Sequence, residues 1–151
     1  MIGTLDQTRG ARHTIAAGLS WTGAGLLLGL SCVATPATFL AGNVPREHLL
    51  AVGRVTFRAS LAVEGVTLLL LLLISPGRLR WLAGTIAAVL AAQHLLLMPA
   101  LDARTLAVMA GEVVPPSPLH AIWIAADFLR IGAYAALGAL ALRSFPIRLP
   151  S

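Results

Sequence analysis

Apolar residues occur along this chain in four long stretches, separated by short segments rich in proline, glycine and asparagine. The stretches cover about residues 14–40, 54–75, 81–101 and 119–142. Because about 20 mostly apolar residues form a helix that crosses roughly 30 Å of hydrocarbon, each stretch is long enough for one transmembrane helix. The separating segments are Gly42-Asn43-Val44-Pro45, Ser75-Pro76-Gly77 and Pro115-Pro116-Ser117-Pro118. The pattern predicts an all-α, integral membrane four-helix bundle that forms a single transmembrane domain over residues 1–151.

The composition supports a membrane protein. Hydrophobic residues make up 58% of the chain, charged residues only 11%, and the mean hydropathy is +0.86, whereas soluble domains carry roughly 25% charged residues. The first apolar stretch is longer than the core of a cleaved signal peptide, which is about 7 to 15 residues, so we expect it to stay as a span. Cys32 is the only cysteine, which excludes an internal disulfide.

Two local features predict how the helices bend and pack. Pro99 lies near the end of the third apolar stretch and would kink a helix that continues to about Ala110. Gly25 and Gly29 form a small-xxx-small pair on the first helix, which is typical of a close helix contact.

The basic residues predict the orientation. All 11 of them are Arg, as expected from a bacterial genome of high GC content. One side of a four-span protein would hold six of them: Arg9, Arg12, Arg78, Arg80, Arg143 and Arg148. The other side would hold Arg46 and Arg104, with Arg54 and Arg58 leading into the second span. Because arginine accumulates in cytoplasmic loops, we expect both termini in the cytoplasm and a multi-pass protein of the bacterial inner membrane. The arginines form no basic stripe, so we expect lipid and no nucleic acid as partner.

Polar residues inside apolar helices are costly and usually face the bundle interior. On the second helix Thr56, Ser60, Glu64 and Thr67 lie on one stripe about 80° wide, since successive helical residues are about 100° apart. On the fourth helix a second stripe consists of His120, Trp123, Asp127, Arg130 and Tyr134.

We therefore predict an intramembrane polar network of Ser60, Glu64, Asp127, Arg130 and Tyr134, with Glu64 packed against the fourth helix. The network is either a structural clasp between the second and fourth helices or part of a functional site.

Two histidines are candidate metal ligands. The third helix carries His94, with Met98 one turn later, and His120 opens the fourth helix. Both histidines are estimated to lie in the outer leaflet, so we predict one cofactor-binding site of His94, His120, Trp123 and Met98, with His94 and His120 as metal ligands. The alternative is that both histidines are packing residues.

The segments Trp21-Thr22-Gly23-Ala24-Gly25 and Ala34-Thr35-Pro36-Ala37-Thr38-Phe39, the Arg54-to-Glu64 region and Leu119-His120-Ala121-Ile122-Trp123 resemble small bacterial membrane proteins. That group is similar to copper-resistance-D-type proteins and, more distantly, to the TMEM-type proteins linked to cisplatin resistance. The resemblance implies a four-helix fold and a link to metal or haem handling. A haem-dependent relative in the wider group has a functional histidine on its first helix, where this chain has only His13 at the inner edge.

Three functions remain open. The first is the binding of haem or a transition metal such as copper near the periplasmic face. The second is a non-catalytic accessory subunit in a homo-oligomer or larger membrane complex, and the third is a small proton-coupled transporter that uses Glu64, Asp127 and Arg130. The chain contains no catalytic motif, so an enzyme is the weaker class.

Overall fold

A computed structural model describes residues 2–144 as four long helices joined by short connections. Helix α1 comprises Ile2–Leu28, a π-helical turn at Gly29–Ala34 and a last turn at Thr35–Thr38. Helix α2 is Arg46–Ile74, and helix α4 is Leu119–Arg143. Helix α3 comprises Gly77–Ala92, a π-helical turn at Gln93–Leu97 and Met98–Met109. The described part of the chain is therefore all-α, as predicted.

All four helices are long and apolar enough to cross a membrane, which suggests a multi-pass membrane protein. The candidate spans are Gly10–Thr38, Arg46–Ile74, Gly77–Met109 and Leu119–Arg143. Of the arginines used for the orientation, Arg148 lies outside the described residues, as does the C-terminal Ser151.

Two helices extend further than the apolar pattern predicts. The second apolar stretch starts at residue 54, but its helix begins at Arg46. The third stretch ends at 101, but its helix continues to Met109, close to the Ala110 expected for a helix that passes Pro99. Hydrophobicity marks only the part of a helix that matches the hydrocarbon, whereas backbone hydrogen bonding continues into polar residues. In the first turn of α2, Glu47 also lies where a negative charge favours the helix dipole.

The helices pack as a ring in which α1 contacts α2 and α4, and α3 contacts the same two helices. The chain direction alternates from one helix to the next. Connections 39–45 and 110–118 therefore lie at one end of the bundle, which we call the distal end. The core consists of small residues of α1 and larger side chains of the other helices, for example Ala16 against a layer that includes Leu71, Ile86 and Leu137.

Two glycines allow α1 and α4 to approach closely. A Cβ atom at Gly23 would lie 2.8 Å from Tyr134 Cε1, and one at Gly138 would lie 2.8 Å from Trp21 Nε1. An aromatic ring of each helix therefore covers a glycine of the other. Gly25 and Gly29, the predicted contact pair, have no such neighbours within 4 Å. The prediction was wrong about the face of α1, because a small-residue spacing does not specify which side of the helix meets a partner.

Both π-helical turns come directly before a proline-containing turn. The amide of Thr35 donates to Leu30 O before Pro36, and the amide of Met98 donates to Gln93 O before Pro99. A proline ring has no amide hydrogen and clashes with the carbonyl four residues earlier, and a wider turn relieves that clash. Helix α3 thus continues past Pro99.

Candidate functional site

Six polar side chains meet inside the bundle, and each helix supplies at least one of them. They are Ser31 of α1, Glu64 of α2, Gln93 of α3, and Asp127, Arg130 and Tyr134 of α4. We call this set the polar cluster. Charged groups in an apolar environment are costly unless they are paired, and inside membrane helices they usually mark functional positions.

Arg130 pairs with both carboxylates of the polar cluster. Its Nη1 lies 2.5 Å from Glu64 Oε2, and its Nη2 lies 2.6 Å from Asp127 Oδ1. The three side chains are nearly inaccessible, with exposed fractions of 2% for Arg130, 6% for Glu64 and 4% for Asp127. The structure thus places Glu64 against α4, where the two polar stripes predict it.

Asp127 receives two further hydrogen bonds from neutral side chains. Ser31 Oγ donates to Oδ2 over 2.7 Å, and Gln93 Nε2 donates to Oδ1 over 3.0 Å and also to Trp123 O over 3.2 Å. Ser31 and Gln93 each belong to a π-helical turn. Such turns are frequent at functional sites, and here both of them supply a donor to the same carboxylate.

The other two residues of the predicted polar network have weaker roles. Tyr134 is fully buried, and its hydroxyl donates to Glu64 Oε1 over a long 3.4 Å. Ser60 lies on the Glu64 stripe, but its hydroxyl donates to the carbonyl of Phe57 over 2.9 Å. Ser60 therefore lies near the charged side chains but forms no hydrogen bond with them in the described structure.

A small cavity of about 20 Å³ lies beside the charges, and its lining includes Ser60, Glu64, Asp127 and Arg130. Its volume is close to the space that one water molecule requires. Arg130 Nε and the Nε1 atom of Trp123, which also lines this cavity, are buried and have no hydrogen-bond partner among the described residues. Two unpaired donors beside a water-sized space favour a small hydrogen-bonding ligand there.

A larger chamber of about 150 Å³ lies toward the distal end. Its walls are mostly apolar and include Leu49, Gly53 and Met98. One edge is polar, because Arg54 Nε and Nη2 donate to the carboxylate of Asp102 over 2.5 and 2.8 Å. An apolar space with a few polar groups on one edge has the character of a ligand site.

Aromatic side chains lie between the chamber and the small cavity. Phe57 and Trp123 line both spaces and meet edge to face, with ring centroids 6.1 Å apart. The ring of His94 packs edge to face on the Trp123 ring at 5.3 Å. The two spaces therefore share one aromatic wall.

The structure does not place the two predicted histidine ligands in one cavity. His94 Nδ1 donates to the carbonyl of Leu90 over 3.1 Å, and the His94 ring lines the small cavity. His120 is exposed and lines the chamber. Met98 shares the chamber with His120, and Trp123 lines both spaces.

A metal or haem iron shared by His94 and His120 requires the two rings to face one space, and here they line different ones. No group of three or more His, Cys, Asp or Glu residues in the described part of the chain has the geometry to hold a metal ion, whereas protein sites for zinc-like ions use three or four ligands. The chamber's volume of about 150 Å³ is that of a cavity that holds one six-membered ring.

The sequence analysis missed three residues of the site. The predicted network did not include Ser31 or Gln93, and no partner was predicted for Arg54, which pairs with Asp102. The signal was present for all three. Ser31 and Gln93 lie five and six residues before a helix proline, and Asp102 reaches the level of Arg54 once α3 is continued past Pro99.

Comparisons of the chain with protein-family models, with curated proteins and with solved structures found no match. The resemblance to copper-resistance-D-type proteins therefore stays a prediction from the sequence.

Proposed function

We propose that this chain is a multi-pass protein of the bacterial inner membrane that binds a ring-bearing, membrane-soluble molecule in the chamber. In this proposal both termini are cytoplasmic and the distal end faces the periplasm. The arginine distribution supports that orientation, because the sequence assigns six arginines to the side of the termini and four to the distal side, with Arg148 outside the described residues.

The chamber carries the proposal. Its apolar wall contains Phe39, Phe57 and Trp123, which offer ring faces and edges to an aromatic or quinoid ligand. Its volume of about 150 Å³ is that of a cavity that binds a single benzene-sized ring. A ring of this size fills the chamber while an alkyl tail on the ring remains among the lipids.

The polar edge selects for hydrogen-bond acceptors on the ring. Arg54 uses Nε and Nη2 for Asp102, and its Nη1 can still donate to a ligand. His120 lines the same chamber and is accessible from outside. A benzoquinone has two carbonyl oxygens at opposite edges of a flat ring, so it satisfies both the apolar wall and the donors.

Gly53 makes the proposal testable, because it lines the chamber and an added Cβ atom meets nothing within 4 Å. Gly53→Leu should fill the chamber without disturbing the helix contacts. Gly65→Leu is the matched control, since Gly65 lies on the same helix, lines none of the described cavities and is equally open.

The protein is reconstituted in lipid nanodiscs and titrated with a short-tailed benzoquinone while its tryptophan fluorescence is recorded. Trp123 lies in the chamber wall, so saturable quenching is expected for the wild type and for Gly65→Leu and is lost in Gly53→Leu. Quenching that does not saturate, or that both variants retain equally, contradicts the proposal. The accessory-subunit hypothesis then becomes the leading one.

A further inference from the structure

The charges of the polar cluster do not balance when all its acids are ionised. Glu64 and Asp127 carry two negative charges and Arg130 one positive charge, and all three side chains are at most 6% exposed. Helix α1 contributes the neutral Ser31 to the cluster, and α3 contributes the neutral Gln93. An uncompensated charge in this environment is costly, so one more positive charge is required.

Hydrogen bonding distinguishes the two carboxylates. Asp127 accepts three hydrogen bonds of 3.0 Å or less, from Ser31, Gln93 and Arg130. Glu64 accepts one short bond from Arg130, and its other oxygen lies 3.4 Å from the Tyr134 hydroxyl. Because donors stabilise an ionised carboxylate, the proton belongs on the carboxyl that has fewer of them.

We infer that the polar cluster is a binding site for one exchangeable proton, which is held by the Glu64 carboxyl. The protonated Glu64 Oε1 then donates to the Tyr134 hydroxyl, and Oε2 keeps its bond from Arg130 Nη1. On release, the proton moves from Oε1 to a water molecule, and Glu64 becomes a carboxylate. This inference concerns the charged cluster and does not depend on what the chamber binds.

The small cavity provides the place for that water. Its volume of about 20 Å³ fits one water molecule. That water can accept a hydrogen bond from one of the unpaired donors, Arg130 Nε or Trp123 Nε1, while its second lone pair accepts the Glu64 proton. The wall made by Phe57 and Trp123 separates this water from the chamber. We therefore expect the proton to exchange with the distal side when an aromatic side chain of this wall rotates.

One other titratable group faces the same cavity. His94 lines it, and its Nδ1 donates to Leu90 O. A proton on His94 would also balance the charge but would leave both carboxyls ionised. Infrared spectroscopy separates these cases, because the carbonyl band of a protonated carboxyl lies above the amide bands, where carboxylates, side-chain amides and imidazoles do not absorb.

The experiment is an infrared spectrum, in H₂O and in D₂O at neutral pH, of the wild-type protein reconstituted in ether-linked lipids, which have no ester carbonyl. We expect a protonated-carboxyl band that Glu64→Gln abolishes and that Glu112→Gln, a change in an exposed connection, retains. Asp127→Asn should also abolish the band, since Glu64 and Arg130 then form a one-to-one ion pair. No band in the folded wild type, or a band that persists in folded Glu64→Gln, overturns the inference.

Isotope labelling keeps the test decisive if Glu64→Gln fails to fold. The chain has only three glutamates, Glu47, Glu64 and Glu112. Biosynthetic ¹³C-glutamate should shift the band in the wild type and in the double variant Glu47→Gln/Glu112→Gln. An unshifted band assigns the proton elsewhere and overturns the inference.

A separate measurement tests whether the Glu64 proton exchanges through the wall formed by Phe57 and Trp123. Phe57→Ala should speed the deuterium shift of the carboxyl band after transfer to D₂O, because it opens the wall between the chamber and the small cavity. Phe128→Ala is the control, since Phe128 lies on the surface of α4. Equal exchange rates in the two variants contradict access from the distal side.

Discussion

The Arg130 guanidinium of α4 lies 2.5 Å from the Glu64 carboxyl of α2, and this contact connects two helices that are distant in the sequence. Both side chains are almost completely buried. Arg130 is also the common partner of Asp127, so the two acids depend on one cation. Replacing Arg130 should therefore destabilise the protein more than replacing Glu64 or Asp127.

Arg130→Ala should destabilise the protein by about 3 to 5 kcal/mol, the usual cost of leaving a buried partner uncompensated. Glu64→Gln should cost much less, because Arg130 and Asp127 remain as a balanced pair. Unfolding curves in detergent, followed by circular dichroism, measure both effects. Arg46→Ala, at the exposed start of α2, is the control. A larger loss in Glu64→Gln than in Arg130→Ala would refute this assignment of roles.

Gly23→Ala should destabilise the contact between α1 and α4. The new methyl group would lie 2.8 Å from Tyr134 Cε1, and the Tyr134 ring is fully buried and has little room to move. Overpacking of this kind costs about 1 to 3 kcal/mol. Gly25→Ala, which meets nothing within 4 Å, should leave stability unchanged or raise it slightly, since alanine favours helix. Equal melting temperatures for the two variants would contradict this packing.

The arginine distribution predicts that Ser151 and the connection 110–118 lie on opposite sides of the membrane. A reporter that fluoresces only in the cytoplasm should be active after Ser151 and inactive when inserted in that connection. An insertion after Pro76, between α2 and α3, should behave like the C-terminal fusion. Activity in 110–118 combined with its loss at Ser151 reverses the orientation and places the chamber on the cytoplasmic side.

The polar network was predictable because helical periodicity fixes which residues share a face. Asp127, Arg130 and Tyr134 lie on one stripe of α4, and the cost of a charge facing lipid requires that stripe and Glu64 to face inward. The face of the helix was enough to predict that these residues meet, because α2 and α4 are regular α-helices.

The histidine site was less predictable because it depends on depth as well as on face. Counting residues along α3 gives the depth of His94 but not the space that its ring enters, and His94 lines the small cavity whereas His120 lines the chamber. The chamber also depends on α2 and α3 extending beyond the apolar stretches, to Arg46 and Met109. Neither feature appears in a hydrophobicity pattern, although Pro99 marks the place where α3 departs from regular geometry.

The π-helical turn of α3 predicts a specific tolerance to deletion. Gln93 is the first residue of the turn and bonds to Asp127, and Asp102 follows the turn and bonds to Arg54. A π-helical turn contains one more residue than an α-helical turn. We therefore expect that deleting Leu96, which is 73% exposed, in a Pro99→Ala variant restores a regular α-helix. The hydrogen bond from Gln93 to Asp127 and the ion pair of Arg54 with Asp102 should both remain.

Deleting Ala88 in the same Pro99→Ala background is the matched control, because Ala88 is an exposed residue of the regular α-helical segment Gly77–Ala92. A deletion there rotates the part of α3 before residue 88 by about 100° relative to the part that carries Gln93 and Asp102. The buried Leu79, Ala83 and Ile86 therefore cannot keep their packing while Gln93 and Asp102 keep their partners. We expect the Leu96 deletion to give a monodisperse, helical protein with a cooperative melt, and the Ala88 deletion to lose cooperativity. An equal loss of cooperative melting in both variants would contradict this interpretation, in which the π-helical turn contains one extra residue that can be removed without changing the contacts before and after it.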